Sequence, residues 1–345
     1  MFSISSLPRT LAACQADLAN PNVKVRLDVL RDLSKMGDES ERSARVRLLV
    51  STLRDESGAV RRGALLALAD NGAPGIEADV LPLLKDPVLP VRQLALLCLG
   101  EVASLESKEV LNQVRLFLGS EHGALRYQAL LAISQLSPES LSGDLLDALD
   151  DEDEAVRELS LRLVDEVLHA GEKPIPESIK SRVIDSCEDS VLHVRLVAQL
   201  VAGSCEWDAP RAMISQIVRR RVKVHEARDE QQAIVLAGRL QMRELIASLG
   251  RRAYGWFGYS VDPFRWVALA ALARMNEEVA WTRLLQALNS RRAVERTLAV
   301  EGLAESARKE ALPILEDLRG DESQVESGVL ELALKSLNDS LRQTL

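Results

Sequence analysis

The stretch DPVLPVRQLALLCLGEV, at residues 86–102, joins a turn to an apolar helix. The Asp-Pro pair is typical of a helix end, because a proline cannot continue a preceding helix. From Pro90 onward the apolar residues recur at three- and four-residue spacing, which indicates one buried face of a new helix. A helix that ends and a helix that begins within a few residues predict a tight helical hairpin.

The turn in this stretch recurs along the chain in one frame. An Asp, Asn or Ser stands six residues before an Arg, and apolar residues follow that Arg at helical spacing. The copies are NPNVKVR at 20–26, DESGAVR at 55–61, DPVLPVR at 86–92, SEHGALR at 120–126, DEDEAVR at 151–157, DSVLHVR at 189–195 and SRRAVER at 290–296. The first six arginines are 31 to 38 residues apart, which is the length of one helical hairpin. The repetition predicts an array of stacked hairpins.

Composition favours the same architecture. Apolar residues make up 47% of the chain and aromatic residues only 3%, so the core is expected to consist of Leu, Ala and Val on closely packed helices. The formal net charge is −9, which argues against a surface that is basic throughout. We therefore expect an all-α protein with, at most, local basic patches.

The turn pattern resembles that of the HEAT-repeat family, including its short bacterial members and the phycobilin-lyase subunits. The resemblance rests on (D/N)-P-x-x-x-V-R followed by an A-L-x-A-L type of helix, and it extends over nearly the whole chain. It implies a right-handed α-solenoid of about nine to ten hairpins, with the first helices on the convex face and the second helices on the concave face. It also implies a structural ladder, in which the repeated Asp and Arg side chains contact neighbouring repeats.

The frame is weakest in the middle of the chain. It places further repeats near Glu230, at Arg265 and near Glu326, but the first two lack the Asp-to-Arg turn. We therefore expect three segments within one continuous solenoid. These are regular repeats at 1–206, irregular aromatic- and arginine-rich repeats at 207–288, and C-terminal repeats with a cap at 289–345.

The irregular segment concentrates the residue types that dominate binding surfaces. Eight of the 11 aromatic residues lie between positions 207 and 281, and residues 211–265 hold 11 Arg and Lys against five Asp and Glu. Arginine and aromatic side chains offer large contact areas and fixed geometry. Large rings in a degenerate repeat can equally fill a wider core, and both interpretations stay open. The partner-binding residues predicted here are Arg219, Arg220, Arg221, Arg251, Arg252, Tyr254, Trp256, Phe257 and Trp266.

No established catalytic or metal-binding motif is present. The four cysteines form no CxxC pair, and the four histidines form no HExxH motif. We expect no metal and no cofactor, and a buried thiol at Cys187 rather than a metal ligand. The amino terminus does not resemble a signal peptide and no stretch approaches about 20 apolar residues, so we expect a cytoplasmic protein without a membrane span.

The function expected from these features is a non-enzymatic scaffold or adaptor that binds a protein partner on its concave surface. Arginines beside aromatic rings favour an acidic or phosphorylated partner. One alternative is a nucleic-acid binder similar to the HEAT-like DNA glycosylases, for which Asp262 or Glu244 would supply a carboxylate. Another is a lyase subunit, although nothing singles out a bilin site. The HEAT-like deoxyhypusine hydroxylases are excluded, because their repeated His-Glu pairs are represented only by His225 and Glu226.

Overall fold

The computed structural model of the chain describes residues 9–103, 107–170, 175–255, 262–320, 325 and 327–343. These residues form α-helices and short 3₁₀ turns, with no strand among them. Contacts group the chain into two compact units, Met1–Arg182 and Val183–Leu345, and the boundary falls within one helix. The division into three segments was made on composition, and it stays a prediction.

The first unit is a series of helical hairpins, numbered here in chain order. The first helices of its hairpins are α1 (Leu11–Asp17), α3 (Arg42–Ser51), α5 (Glu77–Val80), α7 (Lys108–Arg115) and α9 (Leu141–Ala148). The second helices are α2 (Val23–Lys35), α4 (Gly58–Asp70), α6 (Leu89–Val102), α8 (Gly123–Leu136) and α10 (Glu154–Ala170). Each second helix from α4 onward packs against the preceding second helix.

The second unit repeats this arrangement. Its first helices are α11 (Glu177–Ser186), which contains the unit boundary, α13 (Ala212–Val218), α15 (Ile246–Tyr254), α17 (Glu278–Ala287) and α19 (Ala311–Asp317). Its second helices are α12 (Leu192–Ser204), α14 (Ala227–Arg239), α16 (Arg265–Arg274), α18 (Ala293–Glu305) and α20 (Ser327–Gln343). Over the described residues the chain thus holds ten hairpins, and the expected number of repeats is confirmed.

Short 3₁₀ turns extend several of the first helices. They are Glu39–Glu41, Thr52–Arg54, Leu81–Lys85, Leu116–Gly119, Pro138–Ser140, Arg243–Leu245 and Leu318–Gly320. The tighter turn lets a short first helix end directly before the polar residue that starts the next turn. In the opening stretch, Pro90 lies in the first turn of α6, where its missing N–H leaves no hydrogen bond unmade.

The core is aliphatic, as the composition predicts. Fully buried side chains on the second helices are mainly Leu, Ala and Val, including Leu68, Leu99 and Ile133. Among the described residues, Trp281 is the only aromatic side chain that is buried in the core. Small residues let neighbouring second helices approach closely. A Cβ atom on Gly238 in α14 would lie 2.8 Å from the Cα atom of Ala271 in α16, so only glycine fits there.

Each repeat turn is built in the same way. The side-chain oxygen of its first residue accepts the N–H two residues later, as Asp55 does from Ser57 at 2.8 Å and Asp86 does from Val88 at 2.9 Å. The arginine six residues after that first residue returns to the turn and donates its Nη1 to the first residue's carbonyl oxygen. This bond joins all seven predicted pairs: Asn20 and Arg26, Asp55 and Arg61, Asp86 and Arg92, Ser120 and Arg126, Asp151 and Arg157, Asp189 and Arg195, and Ser290 and Arg296.

Ladder arginines of the first unit also bind the aspartate of the following turn. Arg61 binds the Asp86 carboxylate with two hydrogen bonds of 2.7 and 2.8 Å, and Arg126 binds Asp151 with two of 2.8 and 2.6 Å. Arg26 donates to Asp55 at 2.9 Å. The arginine ladder that the resemblance implies is therefore present in the first unit. Each such guanidinium ties its own turn to the next repeat.

We expect loss of a ladder arginine with a carboxylate partner to destabilise the first unit. Replacement of Arg126 by Ala leaves the Asp151 carboxylate without its bidentate partner, at a cost of about 1 to 3 kcal/mol in the free energy of unfolding. Arg92→Ala is the matched control, because the turn that follows Arg92 begins with Ser120 and carries no aspartate. Urea unfolding compares the two variants, and equal losses would contradict a ladder that depends on the carboxylate.

The ladder also predicts acid sensitivity. Burial opposes ionisation of Asp86 and Asp151, but hydrogen bonds from the arginines and from backbone N–H groups outweigh burial and lower the pKa of both carboxyls. A lowered folded-state pKa stabilises the fold above the unfolded value, about 4, and this stabilisation is lost as the pH falls through the folded value.

The expected result is a fall in the free energy of unfolding as the pH drops below about 4. The double variant Asp86→Asn with Asp151→Asn should start less stable at pH 7 and should lose less on acidification. Urea titrations from pH 7 to pH 3 measure both curves. Parallel curves for the two proteins would show that the ladder aspartates do not carry the acid response.

Candidate functional site

The ladder changes in the second unit. Among the described residues, four of its second helices are each followed by a residue with positive φ, namely Glu206 after α12, Gln241 after α14, Asn276 after α16 and Ala307 after α18. Glu206 and Ala307 stand eleven residues after the ladder arginines Arg195 and Arg296. Glu230 stands eleven residues before Gln241, which is the position that a ladder arginine holds in the regular repeats. Glutamate therefore replaces the ladder arginine in this repeat.

The same count identifies the ladder position of α16. Asn276 has positive φ after α16, and eleven residues before it stands Arg265. Arg265 is the first residue of α16, whereas the other ladder arginines occupy the fourth position of their helices. Helix α16 thus begins about one turn late. The repeats that the frame places near Glu230 and at Arg265 are both confirmed as helices.

Arg252, from the first helix α15, supplies the guanidinium that α14 lacks. Its Nη1 donates to Glu230 Oε1 at 2.6 Å, and its Nε and Nη2 donate to the carbonyl oxygens of Val218 and Ile217 at 3.0 and 3.1 Å. The side chain is 4% exposed. Arg252 therefore lies in the interior with its donors engaged, and it forms part of the framework rather than of an open binding surface.

Asp262 completes this charge cluster. Its Oδ1 accepts the N–H of Phe264 at 2.9 Å, which is the same local turn that the ladder aspartates form. Its Oδ2 accepts Arg220 Nη2 at 2.6 Å and lies 3.8 Å from Arg252 Nη1. Asp262 stands three rather than six residues before Arg265, so it forms this local turn at the late start of α16 and outside the spacing of the regular repeats. The Asp262 carboxylate therefore contacts two arginines and a backbone N–H, and these contacts stabilise the turn.

The arginines at 219–221 lie at the end of α13. Arg220 has φ of 55°, a left-handed conformation that costs a non-glycine residue about 1 kcal/mol, and it aims its guanidinium at Asp262. Its neighbour Arg219 is half-buried and donates to the Glu244 carbonyl oxygen at 3.4 Å. Arg220 is exposed but pairs with Asp262, whereas Arg221 is exposed and is the last of the three arginines.

The remaining predicted site residues differ in their exposure and in their contacts. Arg251 is exposed and donates to Ser248 Oγ at 3.0 Å. Tyr254 and Trp266 are half-buried, and each has a guanidinium over its ring. Burial raises the pKa of the Tyr254 hydroxyl, so it stays neutral. Trp256 and Phe257 lie outside the described residues.

Trp266 lies on the wall of a groove of about 610 Å³ between second helices of the second unit. Helices α14, α16, α18 and α20 line this groove, together with Pro263 and Phe264. Its apolar wall includes Val235, Trp266, Leu298, Val329 and Leu332. Leu332 is 70% exposed, so its side chain extends the apolar wall to the surface.

The rim of the groove is charged. Glu301 and Glu305 on α18 are exposed, and Arg274 on α16 is half-buried. Burial and the charge of Arg239 lower the pKa of Arg274. Arg274 also donates to the Glu305 carbonyl oxygen at 3.1 Å, which ties α16 to the end of α18. An apolar wall with a polar rim is the usual composition of a protein-binding surface.

A second depression of about 320 Å³ lies on the other side of Trp266. Its wall includes Arg265, Trp266, Arg283, Ser290 and Glu295. Trp266 is therefore the residue that the groove and this arginine-lined pocket share. Sequence reasoning identified Trp266 but missed Arg265, Arg283 and Leu332. For Arg265 the sequence holds one indication, because the repeat spacing places a ladder arginine at this position.

The described residues offer no metal centre. No cluster of three or more His, Cys, Asp or Glu side chains that could hold a metal ion occurs among them. Cys187 is buried, and burial raises the pKa of its thiol to about 12. Its Sγ lies 3.5 Å from the Val183 carbonyl oxygen, so it is a buried thiol as predicted. In this same part of the chain, no helix is both long and apolar enough to cross a bilayer.

Comparison with known proteins supports the repeat assignment. Residues 46–116, from within α3 to just beyond α7, match the family model described as HEAT repeats. They contain the opening stretch and the Arg61 to Asp86 rung of the ladder. No curated protein matches the sequence.

Solved structures with similar backbones include other helical repeat proteins. An engineered protein shares 14% identity over 96% of this chain and 98% of its own, with a TM-score of 0.44. A designed armadillo repeat protein in complex with the peptide (KR)4 shares 17% identity over 56% and 98%, with a TM-score of 0.44. The complex of CpcE and CpcF of phycocyanin lyase from Nostoc sp. PCC7120 shares 17% sequence identity over 72% of this chain and 96% of its own, with a TM-score of 0.42. Similarity this distant carries no argument about function.

The charge cluster predicts that the ladder cannot simply be restored at Glu230. Glu230→Arg would place a third guanidinium beside Arg220 and Arg252 with only Asp262 to balance them, and should lower the free energy of unfolding by at least about 2 kcal/mol. Glu244→Arg is the control, because Glu244 is exposed. Denaturant unfolding measures both variants. A Glu230→Arg protein as stable as this control would contradict the cluster.

Proposed function

We propose that this chain is a non-enzymatic HEAT-repeat scaffold that binds a segment of a protein partner on its second helices, in the groove that includes Trp266. The observation that carries the proposal is the groove itself, with an exposed leucine and a half-buried tryptophan on one continuous wall. A soluble protein tends to keep such an apolar surface only where a partner covers it. The framework helices around it need no rearrangement to present these side chains.

The lining of the groove describes its occupant. An apolar wall of Val235, Trp266, Leu298, Val329 and Leu332 suits a segment with several large apolar side chains. The exposed carboxylates of Glu301 and Glu305 suit polar or basic groups along one edge of that segment. Tryptophan in such a position contributes most to affinity, because it combines a large area with few rotatable bonds. The occupant is a short amphipathic segment of another protein.

Two carboxylates on the groove rim disfavour nucleic acid as the occupant. Nucleic-acid affinity depends mainly on neutralisation of phosphates by Lys and Arg. Near the groove, Glu301 and Glu305 add negative charge, and Arg220 and Arg252 are already paired with carboxylates. Asp262 and Glu244 are likewise unsuited to a catalytic role, since Asp262 is held by arginines and Glu244 is exposed.

Site-specific photocrosslinking tests this proposal. A benzophenone amino acid at position 332 should capture a discrete protein adduct in an extract of the source organism, because Leu332 lies on the groove wall. The control position is Leu116 in the first unit, whose side chain is 71% exposed but far from the groove in the chain. In the same protein, Trp266→Ala should reduce the yield at position 332 about tenfold or more.

The outcomes separate the candidate functions. Adducts of equal yield and identity at positions 332 and 116 would show unspecific capture and overturn the proposal. An adduct that nuclease digestion shortens would replace the protein partner by nucleic acid. Circular dichroism of the Trp266→Ala protein shows whether a lost adduct reflects lost binding or lost folding.

A further inference from the structure

The pocket beside Trp266 marks a place where the ladder lacks its carboxylate. In the regular repeats, a ladder arginine such as Arg61 or Arg126 binds the aspartate that begins the next turn. Arg265 occupies the ladder position of α16, but the next turn begins with Ser290. A serine cannot neutralise a guanidinium. Arg265 and Ser290 both line the pocket of about 320 Å³.

Arg265 has no hydrogen-bond acceptor and no ion-pair partner among the described residues. Its Nε is buried without a hydrogen-bond partner there, and its guanidinium stacks over the Trp266 ring at 5.4 Å from the ring centre. A buried donor of this kind is costly to leave unpaired. Stacking on a ring leaves the N–H edge of a guanidinium available to an acceptor.

Arg283 brings a second guanidinium to the same pocket from α17. It stacks over the Tyr254 ring at 5.1 Å from the ring centre, and its side chain is exposed. No ion pair joins it to any carboxylate in the described part of the chain. Two arginines, each over an aromatic ring and neither in an ion pair with a carboxylate of the described residues, thus line one pocket.

The single carboxylate of the pocket makes its hydrogen bonds with other residues. Glu295 accepts the Ser290 hydroxyl at 2.5 Å and Arg292 Nη1 at 3.3 Å. The hydrogen bond from Ser290 is the main cause that lowers the pKa of Glu295, and the charge of Arg265 also contributes, so this carboxylate is ionised at neutral pH. Glu295 stands directly before the ladder arginine of its turn, and the other six turns carry Val or Leu at that position. Even with Glu295 counted, the pocket keeps a net positive charge within a chain whose formal net charge is −9.

We propose that Arg265 and Arg283 bind an anionic side chain of the partner, a phosphoserine phosphate or a carboxylate, which takes the place of the missing ladder aspartate. This proposal rests on the proposed function, because the anion belongs to the segment in the neighbouring groove. Two guanidiniums match the paired oxygens of a carboxylate or phosphate. Trp266 lies on both walls, so the anion follows directly on the apolar part of that segment.

Three synthetic peptides test the site in the full chain. They are acetyl-Gly-Ala-X-Ala-Gly-amide with X as phosphoserine, glutamate or serine. Titration is followed through the side-chain Nε–Hε signals of arginine in ¹⁵N-labelled protein. The phosphoserine peptide should shift the signals of Arg265 and Arg283, the glutamate peptide should do so more weakly, and the serine peptide should leave them unchanged. Phosphate binds more tightly because it carries nearly two charges at neutral pH.

Some variants should weaken the binding of the phosphoserine peptide, and others should tighten it. Arg283→Gln should weaken the phosphoserine peptide about tenfold, since it removes one charge-assisted contact. Glu295→Gln should tighten binding, because it removes the only carboxylate of the pocket. Ser290→Asp combined with Glu295→Gln restores the ladder carboxylate, and should abolish binding and raise the thermal midpoint. Ser120→Asp with the wild-type pocket is the matched control, because Ser120 begins the turn after Arg92 in the first unit.

Several results would overturn this site. One is equal binding of the serine peptide, and another is unchanged affinity in Arg283→Gln or in the Ser290→Asp with Glu295→Gln protein. A single-stranded oligonucleotide that shifts the same signals at concentrations where the phosphoserine peptide does not would assign the pocket to nucleic acid. Crosslinking at position 332 in the wild-type protein separates the two proposals. If the adduct forms while the phosphoserine peptide does not bind to that protein, the anion site fails and the scaffold function stands.

Discussion

The structure depends on one hydrogen-bonded arrangement, in which an arginine returns to the carbonyl oxygen six residues before it. This bond closes the turn between two helices and directs the second helix of each hairpin along its neighbour. Where an aspartate begins the next turn, the same guanidinium also joins two repeats, as Arg61 joins Asp86. One side chain therefore stabilises both the hairpin and the stack, and aliphatic packing of the second helices completes the core.

The second unit shows what replaces this arrangement when it is interrupted. At the ladder position of α14 stands Glu230, and Arg252 reaches in from α15 to restore the charge balance and to bind two backbone carbonyl oxygens. Contact between α14 and α16 then relies on the close approach of Gly238 to Ala271. Helix α16 also begins late, which brings Phe264 and Trp266 to the groove instead of a further helical turn.

The regular repeats were predictable from the sequence because each turn is a local feature. The spacing of Asp55 and Arg61 determines a hydrogen bond within seven residues, and the apolar period after Arg61 determines which face of α4 is buried. The role of Arg252 was not predictable in this way. Its partners, Val218 and Glu230, are more than twenty residues away and belong to other helices, so no local pattern distinguishes it from the exposed Arg251 beside it.

Arg252 and Arg265 illustrate how similar residues in one irregular segment acquire opposite roles. A guanidinium that is largely desolvated needs acceptors within the protein, and Arg252 has Glu230 and two carbonyl oxygens. Arg265 stands where the ladder would supply an aspartate, but Ser290 supplies none, and a half-buried position lets the charge persist without one. In the proposed complex a partner anion completes that rung. The same interaction that holds repeats together in the first unit would then hold the partner in the second.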